Sequence, residues 1–285
     1  MLLKELINKG VETVSALYPE REAREMVFVY LEQSLGVKRH THILEPGYDV
    51  AQNEVCNALQ AFERMASGEP MQYIIGKAWF YGREFHVAPG VLIPRPETEI
   101  LCREVIQWAK ATGGVRRILD LCTGSGCIAW TLALEVPEAE VTALDISDDA
   151  LRIAEGQPFS ADTIFVKSDV LNSDPQKSVP CGNYDVLVSN PPYVMDSEKS
   201  LMRKNVLDHE PHLALFVPDE DPLVFYRAVA KWASVLLRSG GLGVVEINEA
   251  LGKETAAVFS DFGFDRVQVV KDLSEKDRFV VFYQK

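Results

Sequence analysis

The sequence predicts an α/β protein in which a small helical domain precedes a mostly parallel, doubly wound sheet. From Val115 onward, short apolar runs alternate with helical patterns, as in folds built from strand–helix–strand units. A glycine-rich turn at Gly124 and Gly126 joins the first of these runs to the first helix, which is typical of nucleotide-binding sheets. The first 70 residues show helical periodicity only. At 285 residues, the chain can form one large domain or two modest ones.

Three amphipathic helices are predicted at 2–18, 20–35 and 50–66, where apolar residues recur at i, i+3 and i+4 between charges. Gly36 and Gly68 would end the second and third helices, since glycine readily adopts the left-handed conformation of a helix cap. We expect these helices to form a domain over 1–70. Its role is either to dock a partner or only to support the fold.

Residues 71–95 are expected to form a β-hairpin linker between the two domains. The segments 73–82 and 83–87 have the β-branched and aromatic composition of strands, and Gly82 suits the turn between them.

The second predicted domain is the α/β domain, over 96–285. Pro96 suits the first position of a helix that runs to about Lys110. Strands are predicted at 116–121, 141–145, 163–167, 184–189, 241–247, 265–270 and 278–284. Helices are predicted near 126–136, 147–155, 222–238 and 249–260. Because no helix separates the last two strands, we expect them to pair antiparallel at one edge of the sheet.

The glycine-rich turn predicts a cofactor that contains adenosine. Gly124 and Gly126 let the backbone approach a ligand closely, and Ala129 completes a G-x-G-x-x-G/A pattern. Asp145 ends the second strand about twenty residues later, where a carboxylate can accept hydrogen bonds from both ribose hydroxyls. The alternative is a tight turn that binds nothing.

Charge favours S-adenosylmethionine over a dinucleotide. The loop has no Lys or Arg to assist two phosphates, and Asp120 beside it suits a sulfonium and an ammonium group. The helix N-terminus can still receive the carboxylate of the cofactor. Asp169 and Val170 end the third strand and are the predicted adenine contacts, although Asp169 could equally be an ordinary turn residue.

The tetrapeptide Asn190-Pro-Pro-Tyr predicts a site for a planar substrate that carries an NH2 group. It follows the predicted strand at 184–189, so it lies at the edge of the sheet where such folds bind ligands. The Asn190 side-chain oxygen and the Pro191 carbonyl are acceptors, and Tyr193 adds a flat ring. The two acceptors could hold a carboxamide, turn its lone pair toward a methyl donor and stabilise the charge that develops. The alternative is an ordinary turn that ends a strand.

Composition narrows the classes of function. The net charge of −13 disfavours duplex nucleic acid as a substrate and suits a basic protein partner. No run of 18 apolar residues indicates a membrane helix, and the charged N-terminus does not resemble a signal peptide, so we expect a cytoplasmic protein. We expect no metal site, because the five cysteines have no C-x-x-C spacing: Cys56, Cys102, Cys122, Cys127 and Cys181.

Together these motifs resemble those of the HemK-type protein-(glutamine-N5) methyltransferases. Segment 120–129 followed by 189–193 is similar to the paired motifs of that family, and the linker segments 68–76, 85–87 and 91–99 match its signature in order and spacing. The resemblance covers nearly the whole chain and is weakest over the N-terminal helices.

The resemblance implies a Rossmann-like, seven-stranded, S-adenosylmethionine-dependent methyltransferase domain behind a helical domain that docks the substrate. It implies methylation of the glutamine in the Gly-Gly-Gln loop of bacterial peptide chain release factors, and we expect a monomer. By position, the cofactor-binding residues would be Cys122, Thr123, Gly124, Ser125, Gly126, Asp145, Val170 and Asn190. The substrate amide would be held by Asn190, Pro191, Pro192 and Tyr193, of which Asn190, Pro191 and Tyr193 would be catalytic.

Three positions depart from the family pattern. Cys122 stands where the family usually has glycine and can crowd the loop, and Val170 stands where some members have an aromatic residue for adenine. Segment 216–222 replaces a stretch that usually contains glycine, and the sequence offers no account of that change.

Three other functions remain open from the sequence. A DNA adenine-N6 methyltransferase uses the same tetrapeptide, but it would need contacts to a phosphate backbone. A glutamine methyltransferase of a ribosomal protein would have identical chemistry. A cofactor-binding adaptor without catalysis is disfavoured by the intact motif at Asn190.

Overall fold

The computed structural model describes residues 1–180 and 182–285, which form two compact units. The first unit comprises Met1–Lys77 with Arg203–His209, and the second comprises Ala78–Met202 with Glu210–Lys285. Cys181, one of the five cysteines, lies outside the described residues. Within the described residues, none of the helices is both long and apolar enough to cross a bilayer.

The first unit is helical, as its periodicity predicts. Between Met1 and Lys77 its helices are α1 Leu3–Val14, α2 Glu20–Leu35, α3 Thr41–Leu44, α4 Gln52–Ala66 and α5 Met71–Ile75. Their apolar faces form one core that includes Leu6, Val27 and Phe62. Gly36 ends α2 in the left-handed conformation, with a φ of 66°, which confirms its predicted cap. Gly68, with a φ of 95°, lies one residue beyond the Ser67 cap of α4.

The predicted strand at 73–82 is wrong in its first half, because α5 occupies Met71–Ile75. Pro70 precedes this helical turn, and the Tyr73 N–H donates to the Pro70 carbonyl at 3.0 Å. Gly76 ends the turn in the left-handed conformation, with a φ of 80°. These local capping contacts outweigh the strand preference of a β-branched pair.

The second unit begins with a short two-stranded sheet, whose strands are β1 Lys77–Phe80 and β2 Arg83–His86. Gly82, with a φ of 71°, lies in the turn between them as predicted. Helix α6 spans Thr98–Thr112, so the prediction of a start at Pro96 is two residues early. Pro96 instead lies in the turn that precedes α6, in which the Thr98 N–H donates to the Arg95 carbonyl at 3.1 Å.

The rest of the chain alternates strands and helices. The first part contains β3 Arg117–Leu121, α7 Cys127–Glu135, β4 Glu140–Asp145, α8 Asp148–Glu155, β5 Thr163–Lys167, α9 Pro175–Ser178, β6 Tyr184–Ser189 and β7 Val194–Met195. The second part contains α10 Lys204–His209, β8 Phe216–Val217, α11 Val224–Leu236, β9 Leu237–Glu246, α12 Gly252–Asp261, β10 Asp265–Lys271 and β11 Asp277–Tyr283. Helix α10 belongs to the first unit. Segment 216–222 begins with β8, which pairs with β7.

Seven strands form the main sheet in the order β10-β11-β9-β6-β3-β4-β5. The five strands from β9 to β5 are parallel, and β11 pairs antiparallel with both β9 and β10. This confirms the predicted fold class and the predicted antiparallel edge. The chain runs outward from β3 in one direction through β4 and β5 and in the other through β6 and β9. The carboxyl ends of β3 and β6 therefore flank the point where such sheets bind ligands.

Apolar cores cover both faces of this sheet. One contains side chains of α6 and α7, and the other contains side chains of α11 and α12. In the second core, Phe282 of β11 stacks on Phe259 with ring centroids 4.2 Å apart and contacts the Phe264 ring. A Cβ atom at Gly243 of β9 would overlap the Phe282 ring. Glycine is therefore required where β9 passes this aromatic cluster.

We predict that Gly243→Ala lowers the free energy of unfolding by about 1–3 kcal/mol, because the added methyl group must displace a ring that two others hold in place. Urea denaturation measures the change. Gly114→Ala is the matched control, since its Cβ would meet only the Thr112 carbonyl oxygen, at 4.0 Å. Equal stability of both variants would show that the ring moves freely.

Candidate active site

A cleft of about 370 Å³ opens at the carboxyl ends of the central strands, which is within the size range of small-molecule sites. The predicted site residues that line it are Cys122, Thr123, Gly124, Ser125, Asp145, Val170, Asn190 and Pro192. Three other predicted residues, Gly126, Pro191 and Tyr193, are not part of its lining. The cleft thus brings the glycine loop and Asn190 to one cavity.

The two glycines of the loop have different structural roles. Both are left-handed, with φ angles of 56° at Gly124 and 77° at Gly126. A Cβ at Gly126 would lie 3.0 Å from the Ala154 Cβ and 3.1 Å from the Trp130 ring, so Gly126 permits the packing of α7 against α8. A Cβ at Gly124 would meet nothing within 4 Å, and this residue lines the cleft. The space beside Gly124 is therefore open to a ligand.

Asp145 ties the end of β4 to the glycine loop. Its Oδ2 accepts the Gly124 N–H at 2.8 Å, and its Oδ1 accepts the Ser147 N–H at 3.0 Å. Burial raises the pKa of Asp145, and these backbone hydrogen bonds oppose that rise. Each carboxylate oxygen has capacity for a second hydrogen bond, so the side chain can hold the loop and still accept ribose hydroxyls.

Asp120 stabilises the same loop from inside the protein. The side chain is fully buried, and its Oδ2 accepts the Thr123 hydroxyl at 2.6 Å. Burial is the main cause that raises the pKa of Asp120 to about 7, and the charge of Asp145 adds to the rise. Asp120 does not line the cleft, so its role is to shape the loop and not to contact a ligand.

Cys122 has a left-handed backbone, with a φ of 63°. This conformation costs a residue other than glycine about 1–2 kcal/mol, which explains physically why the resemblance places glycine here. The side chain lines the cleft, where burial raises the pKa of its thiol well above the usual value. Cys122 therefore adds a neutral group to the cleft wall.

Asn190 follows β6 and begins a chain of hydrogen bonds that runs from the cleft through Thr98 to Glu246. Its Nδ2 donates to the Thr98 Oγ1 at 3.3 Å, and the Thr98 hydroxyl donates to the Glu246 Oε2 at 2.6 Å. The Tyr193 hydroxyl donates to the Glu246 Oε1 at 3.0 Å. Burial raises the pKa of the Tyr193 phenol well above its usual value, so it stays a donor. Tyr193 thus points to Glu246, and the predicted contact of its ring with substrate stays a prediction.

Asp169 and Val170 follow β5, which ends at Lys167 and not at these two residues, and both line the cleft. The Asp169 Oδ1 accepts the Leu171 N–H at 2.9 Å, and its Oδ2 accepts the Asn172 amide at 2.7 Å, as in an ordinary turn. Val170 is held by its carbonyl, which accepts the Trp232 Nε1–H at 2.9 Å. Phe225 lines the same cleft and places an aromatic residue in its wall.

Sequence reasoning missed several residues of this region, namely Arg95, Thr98, Glu210, Phe225 and Glu246. Glu246 ends β9, next to β6, so the rule that ligands bind at carboxyl ends of strands could have indicated it. Arg95 lines the cleft and donates to the buried Glu210 at 2.6 Å, an ion pair between segments 115 residues apart. No local sequence pattern predicts that ion pair.

No group of three or more His, Cys, Asp or Glu side chains that could hold a metal ion occurs among residues 1–180 and 182–285.

Comparison with known proteins identifies the family. The Methyltransferase small domain model matches residues 98–213, and the PrmC N-terminal domain model matches residues 5–76. A release factor glutamine methyltransferase of Bacteroides thetaiotaomicron is 42% identical over 274 residues, which cover 94% of this chain and 95% of that protein. Its namesake in Flavobacterium psychrophilum is 35% identical over 98% of both chains. The chain belongs to the release factor glutamine methyltransferase family.

Membership in the release factor glutamine methyltransferase family confirms the resemblance, the enzyme class and S-adenosylmethionine as the cofactor. A methyltransferase from Pyrococcus furiosus has the same fold, with a TM-score of 0.51 at 17% identity over 72% of this chain and 90% of that one. The family match spans both units of the molecule.

We predict that Asp120→Asn flattens the pH dependence of stability. The pKa of Asp120 is higher in the folded protein than in the unfolded chain, so the native state binds a proton on Asp120 more tightly. The stabilisation that this proton gives is fully present below about pH 4 and is lost as the pH rises through about 7. Urea unfolding at about pH 4 and about pH 8 measures it. The stability of wild type minus that of the variant should fall by a few kcal/mol between these values.

Asp162→Asn, which replaces an exposed aspartate of the same unit, is the control and should keep the wild-type slope. A constant difference between wild type and Asp120→Asn would contradict titration of a buried Asp120.

Proposed function

We propose that this protein transfers a methyl group from S-adenosylmethionine to the side-chain amide nitrogen (N5) of the glutamine in the Gly-Gly-Gln loop of peptide chain release factors. One observation carries the proposal: the glycine loop and Asn190 line one cleft, so a methyl donor and an amide acceptor can meet there. The names of the relatives support glutamine as the target.

The residues of the cleft fit the cofactor. The open space at Gly124 admits a ligand against the backbone, the Asp145 carboxylate can accept the ribose hydroxyls, and Val170 and Phe225 offer apolar surface to adenine. The loop from Cys122 to Ser125 would receive the methionine part. When bound, the cofactor supplies an electrophilic methyl group on a positively charged sulfur.

The protein residues would act by orienting the substrate amide. A carboxamide nitrogen is a weak nucleophile because its lone pair is delocalised into the carbonyl. The Asn190 Oδ1 and the Pro191 carbonyl would each accept one N–H of the amide and so turn the nitrogen toward the methyl group. As the carbon–nitrogen bond forms and the carbon–sulfur bond breaks, the same two acceptors would stabilise the positive charge that grows on the nitrogen. The nitrogen would then lose one proton to water, and S-adenosylhomocysteine would be the leaving group. No strong base is required before the bond forms.

We also propose how the rest of the chain contributes. The helices over 1–70 would dock the release factor, the segment 71–95 would link them to the catalytic domain at 96–285, and one copy of the chain would suffice. The net charge of −13 suits a partner with a basic surface. Because release factors act on ribosomes, the reaction would take place in the cytoplasm, without direct contact to nucleic acid.

The substrate is tested by incubating the protein with labelled S-adenosylmethionine and a release factor, ribosomal proteins or duplex DNA in separate reactions. We expect label on the Gly-Gly-Gln peptide, located by peptide mass spectrometry. If label appears only on a ribosomal protein or only on DNA, the proposed substrate is wrong and the labelled molecule is the substrate.

We predict that Asn190→Ala reduces the single-turnover rate about 10²–10³-fold, as expected for the loss of a preorganised group that stabilises developing charge. Cofactor affinity, measured by calorimetry, should stay within about twofold of wild type if the side chain acts mainly on the substrate. An unchanged rate would show that the substrate amide is held elsewhere.

Asp145→Ala is the contrasting variant. Because Asp145 lies by the glycine loop and not by Asn190, we expect weaker cofactor binding in calorimetry before any change in the rate at saturating cofactor. Undiminished affinity would refute its role at the ribose.

A further inference from the structure

Behind Asn190, Thr98 and Glu246 form a buried relay of hydrogen bonds. Thr98 is 2% exposed and Glu246 1% exposed. Thr98 and Asn190 both line the cleft, whereas Glu246 does not. Thr98 is the first residue of α6, and Glu246 is the last residue of β9. Rigid elements therefore hold both side chains, which limits how far Asn190 can shift without breaking the relay.

The direction of each hydrogen bond follows from the chemistry of Glu246. Each carboxylate oxygen of Glu246 accepts from a hydroxyl group, one from Thr98 and one from Tyr193, so the single hydrogen of the Thr98 hydroxyl is donated to Glu246. The 2.6 Å distance between Thr98 Oγ1 and Glu246 Oε2 is that of a charge-assisted hydrogen bond. The Thr98 oxygen can then only accept from Asn190.

This polarity determines which end of the Asn190 amide faces the cleft. With its NH2 group donating to Thr98 at 3.3 Å, Asn190 turns its Oδ1 away from Thr98. A reversed amide would place two acceptors against each other at Thr98 and would present a donor to an incoming N–H. Only one of the two orientations can therefore accept a substrate amide hydrogen.

The geometry around the Glu246 carboxylate gives it the role of an acceptor. Burial raises the pKa of Glu246, and the hydrogen bonds from Thr98 and Tyr193 and the positive charge of Arg278 limit that rise. Tyr193 occupies the other carboxylate oxygen at 3.0 Å. Both oxygens thus have donors, as a buried carboxylate requires.

We propose that Thr98 and Glu246 are positioning residues that fix the Asn190 amide with its oxygen toward the substrate. The proposal rests on the proposed function for the identity of the substrate, but the orientation of Asn190 is a property of this chain alone. Thr98 lies in the segment Arg95-Pro-Glu-Thr-Glu and begins α6. The proposal gives its hydroxyl group a second role, which is to orient Asn190.

The test compares Thr98→Val, which keeps the shape and removes the hydroxyl, with Thr98→Ser, which keeps the hydroxyl. For Thr98→Val we expect a loss in the single-turnover rate of about 10- to 100-fold with cofactor affinity unchanged. Thr98→Ser should recover most of the rate. Thr255→Val is the matched control, since this buried threonine lies on α12 and its Oγ1 has no hydrogen-bond partner among the described residues.

A double-mutant cycle separates positioning from support of the fold. If Thr98 acts through Asn190, Thr98→Val should have no further effect in the Asn190→Ala background. Glu246→Gln should lower the rate as Thr98→Val does, because an amide at 246 can donate to Thr98 and let Asn190 reverse. Equal losses from Thr98→Val in both backgrounds, or equal rates for Thr98→Val and wild type, would overturn the proposal.

A measurement without substrate keeps this proposal distinct from the proposed function. In ¹⁵N-labelled protein, the side-chain NH2 signals of Asn190 are identified by their loss in Asn190→Ala. We expect these signals to shift and to exchange faster with water in Thr98→Val, but not in Thr98→Ser or Thr255→Val. Unchanged signals would refute the relay, whereas unlabelled release factor with wild-type enzyme would refute only the proposed substrate.

Discussion

The parallel pairing of β3 with β6 is the constraint on which the site depends. Leu121 lies opposite Ser189, the last residue of β6, and the Ser189 hydroxyl also donates to the Leu121 carbonyl at 2.8 Å. The residues that follow, Cys122 and Asn190, therefore leave the sheet side by side. A donor site built on one strand and an acceptor site built on the next become one cleft because their strands are neighbours.

Buried carboxylates organise both halves of this cleft. Asp120 accepts a hydrogen bond from Thr123 of the glycine loop, and Glu246 accepts one from Thr98, which in turn accepts from Asn190. In each case, burial raises the pKa of the acid, so the protein accepts a cost in stability to obtain a short, directional hydrogen bond. Since neither acid lines the cleft, each acts by holding the group that does.

Local patterns predicted most of the fold because its strands are buried and its turns carry strong signals. The strand at Tyr184–Ser189 has the predicted bounds, since it is a continuous apolar run between turn residues. The strand predicted to begin at 73 is wrong over Met71–Ile75, which is a helical turn, because the caps at Pro70 and Gly76 outweigh the strand preference of two isoleucines. When strand propensity and helix capping compete in one short segment, a few capping contacts decide the structure, and hydrophobic periodicity does not reveal them.

The sequence by itself determined the chemical groups of the site: the glycines that open the loop, the acid at 145 and the acceptor amide at 190. Only the tertiary structure decided how that amide is aimed, because Thr98 and Glu246 lie 148 residues apart and meet through the packing of α6 beside β9. The motif at 190 specifies which polar atoms can contact a ligand. The orientation of the Asn190 amide depends on Thr98 and Glu246, which the tertiary structure brings together.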